Sequence, residues 1–303
     1  MKRGRTSMKK RWILGTRGSK LALVQTEIVR KTLERLYPHF YFETKVIRTT
    51  GDSVWNTPLY LIGEKGLFVK EIEEALGREE VDMAVHSMKD LPTQLMDGLV
   101  IAAIMKREDP RDTFISLKHG CLADVPPGGT IGTSSMRRKA QLLALNREWE
   151  IVPLRGNVDT RIRKLEEQDL DGIILAWAGT KRMGFEGSVK EVLPFEVMVP
   201  PGGQGAIGIE TRQDDEAQAL VASLNDDGTF LEVVTERRLQ EAIGGGCSVP
   251  LGINASLVGG TLVIRMVYGR EDGVILFRGT ASGPREEAHA LTESLLVDWK
   301  AAT

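Results

Sequence analysis

The sequence predicts an α/β chain, in which helices cover mainly parallel sheets, followed by a small α+β domain. Short apolar runs alternate with helix-spaced segments over residues 13–176, a pattern typical of parallel sheets. After a turn near Pro200, the apolar run 206–210 has the pattern of a strand that returns to the first domain. Strict alternation over 262–267 indicates an antiparallel sheet in the last part of the chain.

The first elements follow one another at short intervals. The run 13–15 predicts a strand, and Leu21, Val24 and Ile28 then recur at helical spacing. The segment 51–66 is rich in Gly, Asp, Asn and Pro and predicts a mobile loop. The remaining predicted elements are strands at 46–47, 83–85, 131–132, 151–154 and 173–176, and helices at 68–76, 137–145, 158–165 and from about 229.

Length and composition limit the class of protein. A chain of 303 residues can form two or three domains with real cores. Lys and Arg number 40 against 42 Asp and Glu, and this net charge of −2 argues against a general nucleic-acid partner. The basic N-terminus precedes no apolar segment of a signal peptide, and no apolar run reaches membrane-spanning length. We therefore expect a cytoplasmic protein without a membrane partner.

A cysteine lies in a glycine-rich loop at 244–250, with the sequence GGGCSVP. The chain has two cysteines, Cys121 and Cys247, whose separation fits neither a disulfide framework nor a zinc site. Glycines allow the backbone to turn sharply and admit a bulky group beside the sulfur. The loop is therefore either an attachment point for such a group or an ordinary turn that contains a small hydrophobe.

Arginines recur where predicted strands end and helices begin. Ligands of α/β proteins bind outside the carboxyl ends of strands, close to the N-termini of helices. Guanidinium groups pair bidentately with carboxylates and phosphates. Each arginine alone could be a surface charge, but together they predict a cleft for a ligand with several anionic groups: Arg17, Arg137, Arg138, Arg155, Arg161 and Arg182.

Asp90 follows the strand 83–85, beside Lys89 and shortly before Pro92. In a cleft it would act as a general acid or base, or hold a cationic intermediate. It could equally cap a turn before the proline. His86 is interpreted as a structural residue, and four histidines without clustered partners give a metal site little support. The sequence contains neither a Gly-x-Ser-x-Gly elbow nor a Walker-type phosphate loop.

These residues together resemble the hydroxymethylbilane synthase family, also called porphobilinogen deaminases. Eight motifs occur in the family's order and span nearly the whole chain: 16–19 (TRGS) with 21–23, 63–71 (GEKGLFVKE), 86–90 (HSMKD), 107–112 (REDPRD), 132–138 (GTSSMRR), 154–158 (LRGNV), 203–206 (GQGA) and 245–250 (GGCSVP).

The resemblance implies a transferase of tetrapyrrole (porphyrin and heme) biosynthesis that joins four porphobilinogen molecules into linear hydroxymethylbilane and releases ammonia. It implies a dipyrromethane cofactor, attached through a thioether to Cys247. Asp90 matches the catalytic aspartate, expected to assist the loss of ammonia, to stabilise the resulting cation and to help remove a proton after coupling. Further expected cofactor contacts are Ser19, Lys89, Asp90, Thr133, Ser135, Arg137, Arg138, Arg161 and Gly205, and expected substrate contacts are Arg17, Ser19, Arg155 and Arg182.

The resemblance also implies the architecture. Two lobes similar to type II periplasmic binding proteins would comprise 11–105 plus 206–225 and 106–205, and a small α+β domain would comprise 226–303. Lys65 and Phe68 match an active-site lid, and the family expectation is a monomer. Lys20, Trp177, Thr180 and Gly202 depart from the family pattern. None of these departures removes a group with a chemical role, although Trp177 is expected to reshape the packing around Arg182.

Two other classes of protein share such a fold. A two-lobed solute-binding protein would also line its cleft with arginines, but it would normally be exported and would need neither Cys247 nor Asp90. A transcriptional effector domain would bring a helix-turn-helix segment, and no such segment is evident.

Overall fold

The computed structural model describes residues 9–49, 69–244 and 249–303. Within these ranges the strands are β1 (Arg11–Arg17), β2 (Tyr41–Ile47), β3 (Met83–Ser87), β4 (Leu99–Ile104), β5 (Asp112–Ile115), β6 (Thr130–Gly132), β7 (Glu150–Val152), β8 (Gly172–Ala176), β9 (Val189–Val192), β10 (Ile207–Arg212), β11 (Leu251–Val258), β12 (Thr261–Gly269) and β13 (Ile275–Pro284). The α-helices are α1 (Lys20–Leu36), α2 (Lys70–Gly77), α3 (Met136–Leu145), α4 (Val158–Glu167), α5 (Trp177–Arg182), α6 (Glu216–Val221), α7 (Asp227–Ile243) and α8 (Ala288–Ala302).

The first sheet has the strand order β2-β1-β3-β10-β4. Strand β1 is parallel to β2 and β3, whereas β10 is antiparallel to β3 and β4. The apolar faces of the sheet and of α1 form a core that includes Trp12, Leu14 and Leu33. Strand β10 therefore returns to the first sheet from a distant part of the chain, which confirms the prediction for 206–210. We call this sheet and its helices lobe 1.

The second sheet, of lobe 2, repeats this arrangement in the order β7-β6-β8-β5-β9. Strand β6 is parallel to β7 and β8, and β5 is antiparallel to β8 and β9. In the first sheet the antiparallel strand β10 lies between β3 and β4, and in the second sheet the antiparallel strand β5 lies between β8 and β9. This order is that of type II periplasmic-binding-protein-like lobes, so the predicted fold class is confirmed. The sheets are mixed, because antiparallel pairings complete each of them beside the predicted parallel pairs.

The third sheet is antiparallel, in the order β11-β12-β13. Helices α7 and α8 cover one face of it, and Leu239, Ile253, Ile264 and Leu295 form its core. The helix predicted from about 229 begins two residues earlier, at Asp227. Asp226 caps it by accepting a hydrogen bond from the backbone N–H of Thr229 at 2.8 Å. The helix predicted over 68–76 begins two residues later than predicted, at Lys70, and ends at Gly77.

A buried ion pair joins the three sheets where the chain passes between them. Arg107 donates to Glu236 at 2.8 and 3.0 Å, with one N–H to each carboxylate oxygen. The same carboxylate accepts from the backbone N–H groups of Gly203 at 2.6 Å and Ala255 at 2.8 Å. The carboxylate of Glu236 therefore accepts hydrogen bonds from three places: the connection after β4, the connection before β10 and the third sheet. These bonds fix the lobes relative to α7.

Candidate active site

Asp90 lies directly after β3, in a single 3₁₀ turn over Met88–Asp90, and its side chain is exposed. The turn rests on the backbone before β10, where the N–H of Met88 donates to the carbonyl of Ala206 at 3.1 Å. Gly203 has a φ of +75°, and a Cβ there would lie 2.7 Å from the carbonyl carbon of Met88. A glycine is therefore required at this position, and the close approach holds Asp90 at the carboxyl end of β3.

The end of β1 supplies the neighbouring groups. Arg17 is the last residue of β1, and Ser19 caps α1 by accepting from the N–H of Ala22 at 3.3 Å. A small pocket beside these residues is lined by Arg17, Ser19, Gln25, His86, Ser87 and Asp90. Arg17 and Ser19, which the sequence analysis singled out, thus share a pocket with Asp90.

Two hydroxyl groups lie at the corresponding edge of lobe 2. Thr133 follows β6 and accepts from the N–H of Ser135 at 3.2 Å, while Ser135 caps α3 by accepting from the N–H of Arg138 at 3.4 Å. Both hydroxyls are used locally to shape the start of α3. The N-terminus of this helix adds a partial positive charge at the edge of lobe 2.

Arg137 and Arg138 point inward and share one buried carboxylate. Each donates to Asp112, the first residue of β5, at 2.7 Å. Their other Nη groups donate to the carbonyls of Val199 at 2.8 Å and Ile174 at 2.9 Å. Burial alone would raise the pKa of Asp112, but the two guanidinium groups hold it far below its usual value. The side chain of Arg137 is therefore committed within lobe 2.

One polar atom of the Arg138 side chain, its Nε, is buried and has no hydrogen-bond partner among the described residues. Arg155 and Arg161 lie close enough to interact electrostatically with each other, and Arg138 acts on Arg161 in the same way. Burial, then Arg138 and Arg155, lower the pKa of Arg161 to about 10, while Asp90 opposes this shift. Guanidinium groups carry a positive charge at neutral pH, so the three arginines give this edge of lobe 2 an excess of positive charge.

Lys89 and Gln204 connect the two lobes at the site. The amide of Gln204 donates to Asp112 at 2.8 Å and to the carbonyl of Pro110 at 2.7 Å, and its oxygen lies 3.5 Å from the Nζ of Lys89. Burial lowers the pKa of Lys89, whereas Asp90 and Asp112 raise it and Arg138 and Arg161 lower it further. Lys89 therefore lies within electrostatic reach of the cations of lobe 2.

Arg182 and Gly205 form a separate contact at the edge of the site. A guanidinium N–H of Arg182 donates to the carbonyl of Gly205 at 2.7 Å. Burial lowers the pKa of Arg182, and Glu108 raises it. Gly205 has a φ of +88°, and a Cβ there would lie 2.4 Å from the carbonyl oxygen of Glu108. Gly205 thus contributes its backbone, which orients Arg182 across the connection between the lobes.

Cys247, Lys65, Phe68 and the predicted loop 51–66 lie outside the described residues. The nearest described position before the cysteine is Gly244, where the backbone leaves α7 with a φ of +71°. This left-handed cap ends the helix, as expected for a glycine at that position.

Asp112, Gln204, Gln25 and Ser87 belong to the site, although the sequence analysis gave them no role. Gln25 and Ser87 exchange hydrogen bonds at 2.8 and 2.9 Å on the wall of the pocket. Asp112 and Gln204 lie within two of the motifs, at 107–112 and 203–206. Their position in these motifs was the feature of the sequence that could have identified them as site residues. The motifs could not indicate that one carboxylate satisfies two arginines and a glutamine.

The fold and the site together define a two-lobed protein in which an exposed carboxylate of lobe 1 lies within electrostatic reach of the cations of lobe 2. The family model described as the porphobilinogen deaminase dipyromethane cofactor binding domain matches residues 12–219, and the model of the C-terminal domain of porphobilinogen deaminase matches 230–299. The porphobilinogen deaminase of Syntrophomonas wolfei is 48% identical over 294 residues, covering 95% of this chain and 96% of that protein. The porphobilinogen deaminase of Syntrophobacter fumaroxidans is 48% identical over 279 residues, covering 92% and 90%.

The chain therefore belongs to the porphobilinogen deaminase family. It is a transferase of tetrapyrrole biosynthesis with a domain that binds the dipyrromethane cofactor, which confirms the predicted family and enzyme class. Among solved structures, the methionine-binding protein MetQ is 14% identical with a TM-score of 0.43, covering 73% of this chain and 92% of that protein. That score is low, and the fold assignment rests on the sheet topology and the family models. Within the described ranges, no helix has the length and apolar character needed to cross a membrane.

Proposed function

We propose that the enzyme joins four porphobilinogen molecules, one at a time and with release of ammonia, into linear hydroxymethylbilane. In this proposal the chain is built on a dipyrromethane attached to Cys247 through a thioether. The observation that carries the proposal is the exposed carboxylate of Asp90, which lies at the end of β3 and acts electrostatically on Lys89 and Arg161. This arrangement supports the proposal, because a carboxylate capable of acid–base chemistry lies among cations that suit a polycarboxylate.

The donor groups of the site fit a dipyrromethane, which carries acetate and propionate side chains. Arg138 has a buried Nε without a protein partner among the described residues, and burial together with neighbouring cations lowers the pKa of Arg161. A carboxylate placed there would satisfy the Nε and reduce the repulsion between the guanidiniums. We propose that Arg138, Arg161, Lys89 and the hydroxyls of Thr133 and Ser135 hold the cofactor. When bound, the dipyrromethane supplies the primer to which pyrrole units are added.

Arg137 and Gly205 support the cofactor site through their neighbours. Arg137 shares Asp112 with Arg138, so its charge helps to keep that carboxylate ionised and Arg138 in place. The carbonyl of Gly205 accepts from Arg182 and thereby fixes the direction of that guanidinium. We propose that both residues act through these contacts.

Asp90 is the proposed acid–base residue. Loss of ammonia requires a proton at the amine, and coupling requires later removal of a proton from the pyrrole, so a single exposed carboxylate can serve both steps in turn. Between these steps its negative charge would stabilise a cationic substrate fragment. Lys89 and Arg161 lie within electrostatic reach of this carboxylate.

Arg17, Ser19, Arg155 and Arg182 are the proposed contacts of the incoming substrate. Arg17 and Ser19 share the pocket of Asp90. Arg155 lies within electrostatic reach of Arg161 on lobe 2. Substrate carboxylates bound on both sides of Asp90 would place the reacting carbon near its carboxylate.

The remaining predictions complete the proposal. The domain limits are 11–105 plus 206–225, 106–205 and 226–303, and Lys65 and Phe68 belong to a lid over the cleft. We further propose a monomer located in the cytoplasm, with porphobilinogen as its small-molecule partner and neither nucleic acid nor a membrane as a partner.

The test is the turnover of porphobilinogen by the variant Asp90→Asn, which keeps the shape of the side chain but cannot exchange the proton. We expect turnover to fall at least ~100-fold, the usual scale of lost acid–base catalysis. Asp97→Asn is the matched control, because Asp97 is exposed in the same connection between β3 and β4. Turnover by Asp90→Asn within a few-fold of the control would remove Asp90 from the chemistry.

A further inference from the structure

The backbone carbonyls that follow Asp90 accept hydrogen bonds from a side chain on another part of the chain. Arg237 of α7 donates to the carbonyl of Leu91 at 3.0 Å, to that of Pro92 at 2.6 Å and to that of Thr93 at 3.2 Å. Over the described ranges, no other hydrogen bond to these three carbonyls is present. The planar fork of the guanidinium reaches all three because its N–H groups diverge at fixed angles.

The turn that carries Asp90 has little hydrogen bonding of its own. Its closing bond, from the N–H of Leu91 to the carbonyl of Met88, is long at 3.4 Å. Pro92 has no N–H, so the chain cannot continue as a regular hydrogen-bonded turn or strand at this point. The position of Asp90 therefore depends on what packs against residues 91–93.

Helix α7 presents one continuous stripe to this turn. Phe230, Val233 and Arg237 lie at spacings of three and four residues, so their side chains project from the same face of the helix. Val233 is fully buried and forms one apolar cluster with Met88 and Leu91, with Phe230 packed against it. Arg237 extends this contact with polar bonds beyond the apolar cluster.

The same helix leads to the cysteine loop. Six residues after Arg237, α7 ends at Ile243, and Cys247 follows three residues after Gly244 in the sequence. The helix that carries Arg237 is therefore the last described element before the predicted attachment point.

We propose that Arg237 is a positioning residue, which holds the Asp90 turn at a fixed place relative to α7. The proposal rests on the proposed function, in which Asp90 handles protons beside a group attached to Cys247. It assigns to Arg237 no contact with substrate or cofactor. The consequence is that loss of its donors loosens residues 88–96 and slows turnover without weakening substrate binding to a similar degree.

The experiment compares Arg237→Met, Arg237→Lys and the control Arg238→Met. Methionine keeps the apolar stem but removes every donor, and lysine restores a charge and donors without the fork. Arg238 is the next residue on α7 and is exposed. For each variant, hydrogen exchange is measured for peptides covering 88–96, and kcat and KM are measured for porphobilinogen. Turnover is divided by the loaded fraction, which is obtained from intact mass.

For Arg237→Met we expect exchange over 88–96 to rise about tenfold and kcat to fall about 10- to 100-fold, the scale of a displaced catalytic group, with KM changed less than about threefold. Arg237→Lys should lie between this variant and the wild type, and Arg238→Met should match the wild type. If Arg237→Met does not fold, the comparison of Arg237→Lys with Arg238→Met decides the question in the same way.

Faster exchange with unchanged kcat would overturn the proposal, because the turn would then be loosened without consequence for the chemistry. A fall in kcat without faster exchange over 88–96 would also overturn it. Failure of the proposed function gives a different pattern: the wild type would not consume porphobilinogen, or Asp90→Asn would match the wild type, whatever the exchange rates are.

Discussion

Replacing Asp112 by Asn tests the buried cluster that supports the cationic edge of lobe 2. Asp112 is completely buried and accepts from Arg137 at 2.7 Å, Arg138 at 2.7 Å and Gln204 at 2.8 Å. The amide cannot balance two guanidiniums, so both charges would remain buried without an anion. Breaking a buried ion pair from one side costs about 3–5 kcal/mol. The melting temperature should therefore fall by roughly 6–20 °C, taking about 2–4 °C per kcal/mol for a large domain.

The matched control is Asp109→Asn, three residues earlier. Asp109 pairs with Arg111 at 2.6 Å, but the two side chains are 27% and 37% exposed. Solvent screens such a pair, and its contribution is about 0–1 kcal/mol. Thermal unfolding of the wild type and both variants at pH 7 gives the comparison. Equal melting temperatures for Asp112→Asn and Asp109→Asn would refute the reasoning.

The pH dependence provides a second check on Asp112. Its pKa in the folded protein is depressed by Arg137 and Arg138, so its stabilising contribution is complete above the pKa of the unfolded chain, about 3.9, and declines as the pH falls below that value. The difference in melting temperature between wild type and Asp112→Asn should be constant from pH 8 to about pH 5 and shrink in more acidic solution. A difference that grows toward acid would contradict the assignment.

Two further substitutions test the connection between the lobes. Gly205→Ala should destabilise the protein by more than about 1 kcal/mol in thermal unfolding, because the backbone has a φ of +88° and the new Cβ would lie 2.4 Å from the carbonyl oxygen of Glu108. Gly187→Ala, where no atom lies within 4 Å of the added Cβ, is the control, and equal effects would contradict the strain. Lys20→Ala removes an exposed ion pair with Asp159 across the lobes and should change stability by less than about 1 kcal/mol and turnover by less than about twofold. A larger loss of stability or turnover would contradict the assignment of this pair to the solvent-screened surface.

Much of the fold could be predicted because its strands are short apolar runs at regular intervals. β3 and β8 are almost entirely buried, and buried strands of this kind give a continuous apolar signal. The return of β10 was predictable for the same reason. β5 and β9 have four residues each and include charged or polar side chains. Segments this short do not show a periodicity that would distinguish a strand from a loop.

The site was predictable where its chemistry depends on local sequence. Asp90 follows a buried strand, and Ser19 stands at the start of a helix, and both placements follow from the pattern of neighbouring residues. The direction of Arg137 was not predictable. Whether this arginine faces the cleft or the interior depends on Asp112, which lies 25 residues earlier in sequence, and on the carbonyl of Val199, 62 residues later. Such partners are brought together only by the folded sheet.

The contacts of α7 were beyond sequence reasoning for a similar reason. Arg237 is one charged residue in a charged helix, and no local pattern distinguishes it from the exposed Arg238. Its partners are carbonyl groups about 145 positions away, at Leu91 and Pro92. Backbone acceptors leave no signature in the identities of side chains.

The most direct test of the proposed reaction is the intact mass of the purified chain under denaturing conditions, before and after addition of porphobilinogen. The proposed reaction predicts a covalent excess of two linked pyrrole units, which grows in single-pyrrole steps with substrate. The excess should be absent in Cys247→Ser and present in the control Cys121→Ser. A wild-type mass that is unmodified and stays constant with substrate, even after an attempt to load the protein, would contradict it.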